Sequence, residues 1–325
     1  MNNKALPLAT YLPNVSQLSY GCMGLGGGWN NAPVSSSDVT QTRTIIDTAL
    51  ESGINLFDHA DIYTFGKAEQ AFGEVLKQDP SLRDSLYLQS KCGIRFADQD
   101  AAKRYDFSSQ WIMESVENIL RRLNTEYLDT LLLHRPDPLM ETDEVAQAFA
   151  QLHQSGKVRH FGVSNMNQHQ MRYLQSALDQ PLVINQLEMS LAKLDFVQGG
   201  IMAQNHQGQH ADFDTGTIEY CQANGVQLQS WGSLAQGKFS QRGLNDECAV
   251  VRSTAQYVAQ LAEEYGVSSE AIVLAFLTRH PANIQPVIGT TNLDRIKACA
   301  QVNQVKLTHG QWFTLLEKSL GNEIP

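Results

Sequence analysis

Short apolar runs alternate with longer amphipathic stretches along this 325-residue chain, and few folds accommodate that rhythm. The extended runs cover residues 18–23, 55–58, 86–90, 128–134, 158–163, 182–186, 226–230 and 284–288. Helical spacing fills the intervals: 36–51, 67–77, 108–123, 141–154, 168–177, 213–224, the pair 250–265 and 269–278, and finally 293–301. Ser36 and Ser37 offer caps for the first helix, and Gly53 closes it. The extended runs are rich in Val, Ile and Leu and do not alternate with polar residues. That is how strands covered on both faces read. Eight strand–helix units predict an α/β chain closed into a (β/α)8 TIM barrel. Residues 1–325 are then one domain, with the active site at the C-terminal ends of the strands. An open doubly wound sheet normally places GxGxxG between its first strand and a helix. Gly21, Gly24, Gly26, Gly27 and Gly28 follow a strand here, but no helix starts directly after them.

The ends of these runs carry ionisable groups. Asp58 closes Ile54-Asn55-Leu56-Phe57, Lys91 closes Leu86-Tyr87-Leu88-Gln89-Ser90, His134 closes Leu131-Leu132-Leu133, and Tyr63 lies in the turn after Asp58. One polar residue at a strand end is ordinarily a cap. Here the pattern recurs at Ser164-Asn165, Gln186, Ser230-Trp231 and Gly289-Thr290, and recurrence on nearly every strand points to a shared site. Lys91 is the most telling, because an ammonium closing a buried strand is costly unless paired, and Asp58 is the obvious partner. The four types complement one another. A phenol gives a proton, an ammonium makes that phenol more acidic, a carboxylate holds the ammonium charged, and an imidazole orients a carbonyl.

The net charge of -10 and pI near 5.3 argue against nucleic acid or an anionic membrane as the main partner. Five scattered cysteines without CxxC spacing read as free thiols in a reducing cytosol. The polar start of the chain lacks the apolar core of a secretion signal, and no run reaches membrane-spanning length. A cytoplasmic chain is therefore expected. A monomer is expected too, since no long apolar stripe is left over. Residues 192–212, rich in Gln, Gly and His, break the rhythm and read as a long loop over the active face. His206 and His210 lie four apart within it and read as solvent histidines. No HxH closes any strand, so no metal is expected.

Phe57-Asp58-His59-Ala60-Asp61-Ile62-Tyr63, with Glu69 and Gly73 after it, resembles the first signature of the aldo-keto reductases. Leu131-Leu132-Leu133-His134-Arg135-Pro136-Asp137 resembles the family's histidine strand, and Lys157 to Asn165 its cofactor-amide strand. Ile184-Asn185-Gln186-Leu187-Glu188 matches as well. The likeness runs from about Leu18 to the end, in family order, and is strongest to the bacterial oxidoreductase branch. It implies an NADPH-dependent reduction of aldehydes or ketones. Tyr63 would be the proton donor, Lys91 and Asp58 its activating pair, and His134 the carbonyl-polarising group. The resemblance implies Ser164, Asn165 and Gln186 around the nicotinamide carboxamide. Trp231, after Ser230, would stack on the ring, and Gly21, Cys22 and Met23 would bring main chain near it. Gly232, Ser233, Leu234, Gly237 and Lys238 would wrap the pyrophosphate. Gly289, Thr290, Thr291 and Arg295 would hold the adenosine 2′-phosphate. Gly289 replaces a common lysine, and Ala298 and Cys299 a common Glu-Asn pair. NADPH is still expected over NADH, because Arg295 and Thr290 remain and no carboxylate is evidently placed to repel the phosphate.

Trp29, Phe65 and Phe96 are the candidates to line a pocket for a small hydrophobic carbonyl compound. A second class of function is a cofactor-sensing regulatory protein on the same barrel, like the potassium-channel beta subunits. The intact set Asp58, Tyr63, Lys91 and His134 favours turnover.

Overall fold

The structure, a computed structural model, describes residues 5–99, 101–202 and 211–325. Eight parallel strands close into a barrel. They are β1 (Ser19–Gly21), β2 (Leu56–Asp58), β3 (Tyr87–Cys92), β6 (Leu128–Leu133), β7 (Val158–Ser164), β8 (Leu182–Glu188), β9 (Gln227–Trp231) and β10 (Gln285–Ile288). Each pairs with its sequence neighbour in the barrel, and β1 closes on β10 through Ser19 opposite Val287. Two short strands, β4 (Ile94–Arg95) and β5 (Arg104–Tyr105), form an antiparallel ladder just beyond β3. The outer layer is made of α1 (Ser36–Glu51), α2 (Lys67–Gln78), α3 (Ser109–Leu123), α4 (Thr142–Gln154), α5 (Gln168–Gln175), α7 (Thr217–Ala223), α8 (Ala249–Tyr265), α9 (Ser269–Thr278) and α10 (Leu293–Ala300). Among the described residues, no helix is long and apolar enough to cross a membrane.

The main core lies between strands and helices, where the outward side chains of the strands are fully covered. Gly73 shows how tight this layer is. A Cβ there would stand 2.0 Å from the Arg122 carbonyl oxygen, so α2 approaches α3 closely only because residue 73 has no side chain. A smaller core closes the lower end of the barrel, where Leu8 and Leu12 from the N-terminal segment meet Leu56, Leu132, Val183 and Ile184.

Two segments differ from the sequence reading. Residues 192–212 are not one irregular loop: Asp195–Ile201 forms α6, with Phe196 and Val197 buried. The pair Gly199-Gly200 masks its helical signal, since glycine is a poor helix former. His206 and His210 lie outside the described residues. A further helix lies beyond the last unit expected from the sequence, α11 (His309–Leu320), where Trp312 stacks on Phe276 at 4.7 Å. Cys22, Cys92, Cys221 and Cys299 are buried and free, and Cys248 is exposed.

Candidate active site

Strand periodicity decides which side chains enter the barrel. On β3, Gln89 and Lys91 point inward, while Ser90 points out to α2 and donates to Glu69 Oε1 at 2.7 Å. Register places Asp58 of β2 opposite Gln89 of β3. The Lys91 ammonium therefore emerges beside the Asp58 carboxylate, with Nζ 2.8 Å from each oxygen. It also donates to the His59 carbonyl at 2.9 Å and to Tyr63 Oη at 3.0 Å. Lys91 is fully buried and Asp58 nearly so. Three short bonds and a counter-charge satisfy an ammonium that burial alone would not tolerate.

The turn carrying Tyr63 is strained. Thr64 and Phe65 adopt φ of 48° and 60°, the left-handed region that a β-branched residue avoids, and Gly66 continues it at 83°. A bond from Thr64 Oγ1 to the Leu25 carbonyl at 3.0 Å holds the turn.

Burial tends to lower the Lys91 pKa, but Asp58 and Tyr63 outweigh it, and the net direction is upward. Burial raises Tyr63; Lys91 pulls it back without compensating, and the phenol ends above its ordinary value. Lys91 does pull the phenol towards acidity, as its place beside Tyr63 predicts, but desolvation exceeds the attraction of one ammonium that Asp58 already partly neutralises. His134 lies well below the ordinary histidine value through burial, then through Lys91, Arg135 and Lys103. It is a neutral imidazole at physiological pH, with ring centroid 6.0 Å from that of Tyr63.

Around these groups lie the β7, β8 and β9 strand ends. Asn165, at φ 60°, donates to the His134 carbonyl at 3.1 Å and to Ser164 Oγ at 2.8 Å, and its Oδ1 accepts from Trp231 Nε1 at 3.0 Å. Ser164 Oγ donates to the Gln186 carbonyl at 2.8 Å. Both N–H bonds of the Asn165 amide and the hydroxyl proton of Ser164 are thus used internally. What remains on Ser164 and Asn165 is acceptor capacity, and Gln186 adds its Oε1 and one spare N–H, a set that suits a carboxamide with two N–H donors and one acceptor. Arg135 sits 5.5 Å over the Trp231 ring.

Beneath the site lies a feature the sequence reading passed over. Gln89, Gln229 and Gln285 are fully buried and joined by their amides. Gln89 Nε2 donates to Asp58 Oδ1 at 2.5 Å and to Gln229 Oε1 at 2.9 Å, and Gln186 Nε2 donates to the same Gln229 oxygen at 2.9 Å. The available signal was an amide in the middle of each apolar strand, as anomalous there as the lysine.

The sequence profile of the Aldo/keto reductase family matches residues 17–319. The chain belongs to the aldo/keto reductase family. Among curated proteins it is 38% identical to oxidoreductase YdhF of Escherichia coli over 292 residues, 88% of this chain and 89% of that protein. It is 33% identical to a 6-dehydroglucose reductase of Agrobacterium fabrum, over 95% of this chain and 96% of that one. Among solved structures it is similar to aldo-keto reductase AKR11C1 from Bacillus halodurans in its holo form. That likeness has a TM-score of 0.70 and 25% identity, over 94% of this chain and 92% of that one. An aldo-keto reductase from Klebsiella pneumoniae in complex with NADPH matches with a TM-score of 0.70 and 22% identity, over 93% and 90%. The protein is thus an NAD(P)H-dependent oxidoreductase.

In this reductase the residues expected around pyrophosphate and adenosine gather at the β1, β9 and β10 ends. A Cβ on Gly21 would meet Val287 Cγ1 at 3.0 Å, and one on Gly237 would meet Arg295 Nη2 at 2.6 Å. Gly237 thus lets the Arg295 guanidinium lie against the loop of Gly232, Leu234 and exposed Lys238. Ser233 is bound inward, donating to the Val287 carbonyl at 2.7 Å, and Cys22 is buried while Met23 is exposed. Gly289, Thr290 and Thr291 lead into α10, whose N-cap Asn292 accepts from the Arg295 amide at 3.0 Å. One expectation is corrected here: a carboxylate is close by. Glu270 of α9 accepts from Arg295 Nε at 3.2 Å.

Trp29, Phe65 and Phe96 form a row of part-exposed rings. Centroids are 5.3 Å apart between Trp29 and Phe65, and 5.4 Å between Phe65 and Phe96. The left-handed turn sets Phe65 two residues from Tyr63. Among the described residues no three His, Cys, Asp or Glu side chains converge to hold a metal.

Proposed function

We propose that this enzyme reduces aldehydes or ketones to alcohols, with NADPH as the preferred reductant and Tyr63 as the proton donor. The observation that carries the reading is the Lys91 ammonium held between the Asp58 carboxylate and the Tyr63 hydroxyl at 2.8 and 3.0 Å. When bound, the reduced nicotinamide supplies hydride to the carbonyl carbon. Tyr63 gives its hydroxyl proton to the carbonyl oxygen as the C=O becomes CH–OH. Lys91 then stabilises the phenolate left behind, and Asp58 keeps Lys91 charged. Neutral His134 donates a hydrogen bond to the same oxygen and polarises it. Ser164, Asn165 and Gln186 would hold the carboxamide and Trp231 the ring face. Arg295, at the start of α10, would meet the 2′-phosphate. The aromatic row of Trp29, Phe65 and Phe96 suits an apolar carbonyl compound.

The test is loss of NADPH absorbance with aromatic aldehydes and α-dicarbonyls, run beside Tyr63→Phe. General-acid help is worth about two to four orders of magnitude. Tyr63→Phe is therefore expected to lose most of kcat and keep NADPH binding. A variant with wild-type kcat sinks the acid assignment. Tight NADPH binding without any turnover would move the reading to cofactor sensing.

A further inference from the structure

The buried amides beneath the site have a forced direction. At one end, the Asp58 carboxylate paired with the Lys91 ammonium can only accept, so Gln89 must turn Nε2 toward it, at 2.5 Å. At the other end the Ser16 carbonyl can only accept, so Gln285 turns Nε2 to it at 2.7 Å and leaves Oε1 toward Gln229. Gln229 lies between and has one consistent orientation. Its Nε2 donates to Gln285 Oε1 at 2.9 Å and to Gln89 Oε1 at 3.2 Å. Its Oε1 accepts from Gln89 and from Gln186, both at 2.9 Å. Every hydrogen and lone pair of the Gln229 amide is then used. Gln186 must spend one N–H on Gln229, which turns its Oε1 away from that contact; its second N–H and its Oε1 take no partner among the described residues.

We infer that Gln229 is a positioning residue for the cofactor: it fixes Gln186 as an acceptor for the N–H groups of the nicotinamide carboxamide. The inference rests on the reading that Gln186 faces that carboxamide. Gln229 touches neither cofactor nor substrate. It acts through Gln186, and its own direction is set by Asp58 from one side and Ser16 from the other. The proton-donor pair and the cofactor grip thus share one polar layer.

The experiment is fluorescence titration of purified protein with NADPH and with its 3-acetylpyridine analogue, in which a methyl group replaces the carboxamide NH2. In Gln229→Met, Gln186 is free to rotate. NADPH binding is expected to weaken about tenfold, the size of one buried hydrogen bond. The analogue, with no N–H to offer, is expected to change less than about twofold on the same basis. Equal weakening of both ligands, or no weakening of either, overturns the inference. Gln229→Leu is the second variant, guarding against a Met variant that does not fold. It removes the same acceptor oxygen without burying a charge and is expected to shift the ratio of the two affinities in the same direction as Gln229→Met; an unaltered ratio in a folded Leu variant also overturns the inference. Wild-type protein that binds no NADPH defeats the proposed function itself, and the inference with it. Wild-type binding with an unaltered Gln229→Met ratio defeats only the role of Gln229.

Discussion

Tyr63 and His134 set the expected pH dependence. Reduction needs the phenol protonated, and Tyr63 is raised above the ordinary 10.0, so its proton is present throughout the neutral and mildly alkaline range. His134 is lowered well below 6.5, so it stays neutral as pH falls through that value. kcat/KM for carbonyl reduction is therefore expected to stay level from about pH 6 to 9 and to fall only in the region of phenol ionisation. An acid limb near 6.5 would show that His134 protonates and that its burial does not hold it neutral. At this scale the sequence was informative because the chemistry is anomalous. A lysine ending a buried strand demands a partner, and the structure places Asp58 there. The phenol's net direction was not legible, because it depends on how far the folded chain excludes water.

Between elements, the Arg295–Glu270 pair links α10 to α9 at 3.2 Å. The pair is part-exposed, so its own contribution is small, yet it bears on the cofactor. A phosphate must draw Arg295 away from Glu270 or share it. Arg295→Ala is expected to raise the KM for NADPH about tenfold or more, and that for NADH about twofold or less, on the scale of a charge-assisted bond. Glu270→Gln should move the NADPH value the other way. Steady-state kinetics with both reductants decide it, and equal effects of Arg295→Ala on the two would remove the phosphate assignment. The eight strand–helix units were readable because buried parallel strands and amphipathic helices differ in period. Glu270 was not: it sits in the first turn of α9, where an acidic residue is ordinary, and only packing sets it against Arg295. The helix over Asp195–Ile201 was hidden by its glycines in the same way.

Across the whole molecule, the polar layer inside the barrel has a counterpart in the shell. His59, one residue after Asp58, is fully buried, packs edge-on against Phe72 at 4.8 Å, and has no hydrogen-bond partner on either ring nitrogen among the described residues. Burial, then the Lys91 charge, brings its pKa from 6.5 down to about 3. Above pH 6.5 the imidazole is neutral both folded and unfolded. Below it the unfolded chain takes up a proton that the folded chain refuses, so this stability is lost as pH falls from 6.5 towards about 3. The expected loss is on the order of 1 kcal/mol per pH unit. His59→Leu should show a shallower acid limb than wild type in urea melts between pH 4 and 7. Parallel limbs would mean that His59 finds a partner or a proton in the folded state.

The left-handed turn after Tyr63 bears on how this scaffold can be adapted. Trp29 and Phe96 belong to separate segments and can be exchanged without touching the catalytic backbone. Phe65 is more restricted, because with Thr64 it forms the left-handed pair directly after Tyr63, a conformation that β-branched replacements avoid and glycine or asparagine enters readily. A library that widens the substrate range should therefore vary Trp29 and Phe96 freely and confine position 65 to residues that tolerate that backbone. In this enzyme one wall of the pocket is free to diverge, and the other is yoked to the chemistry.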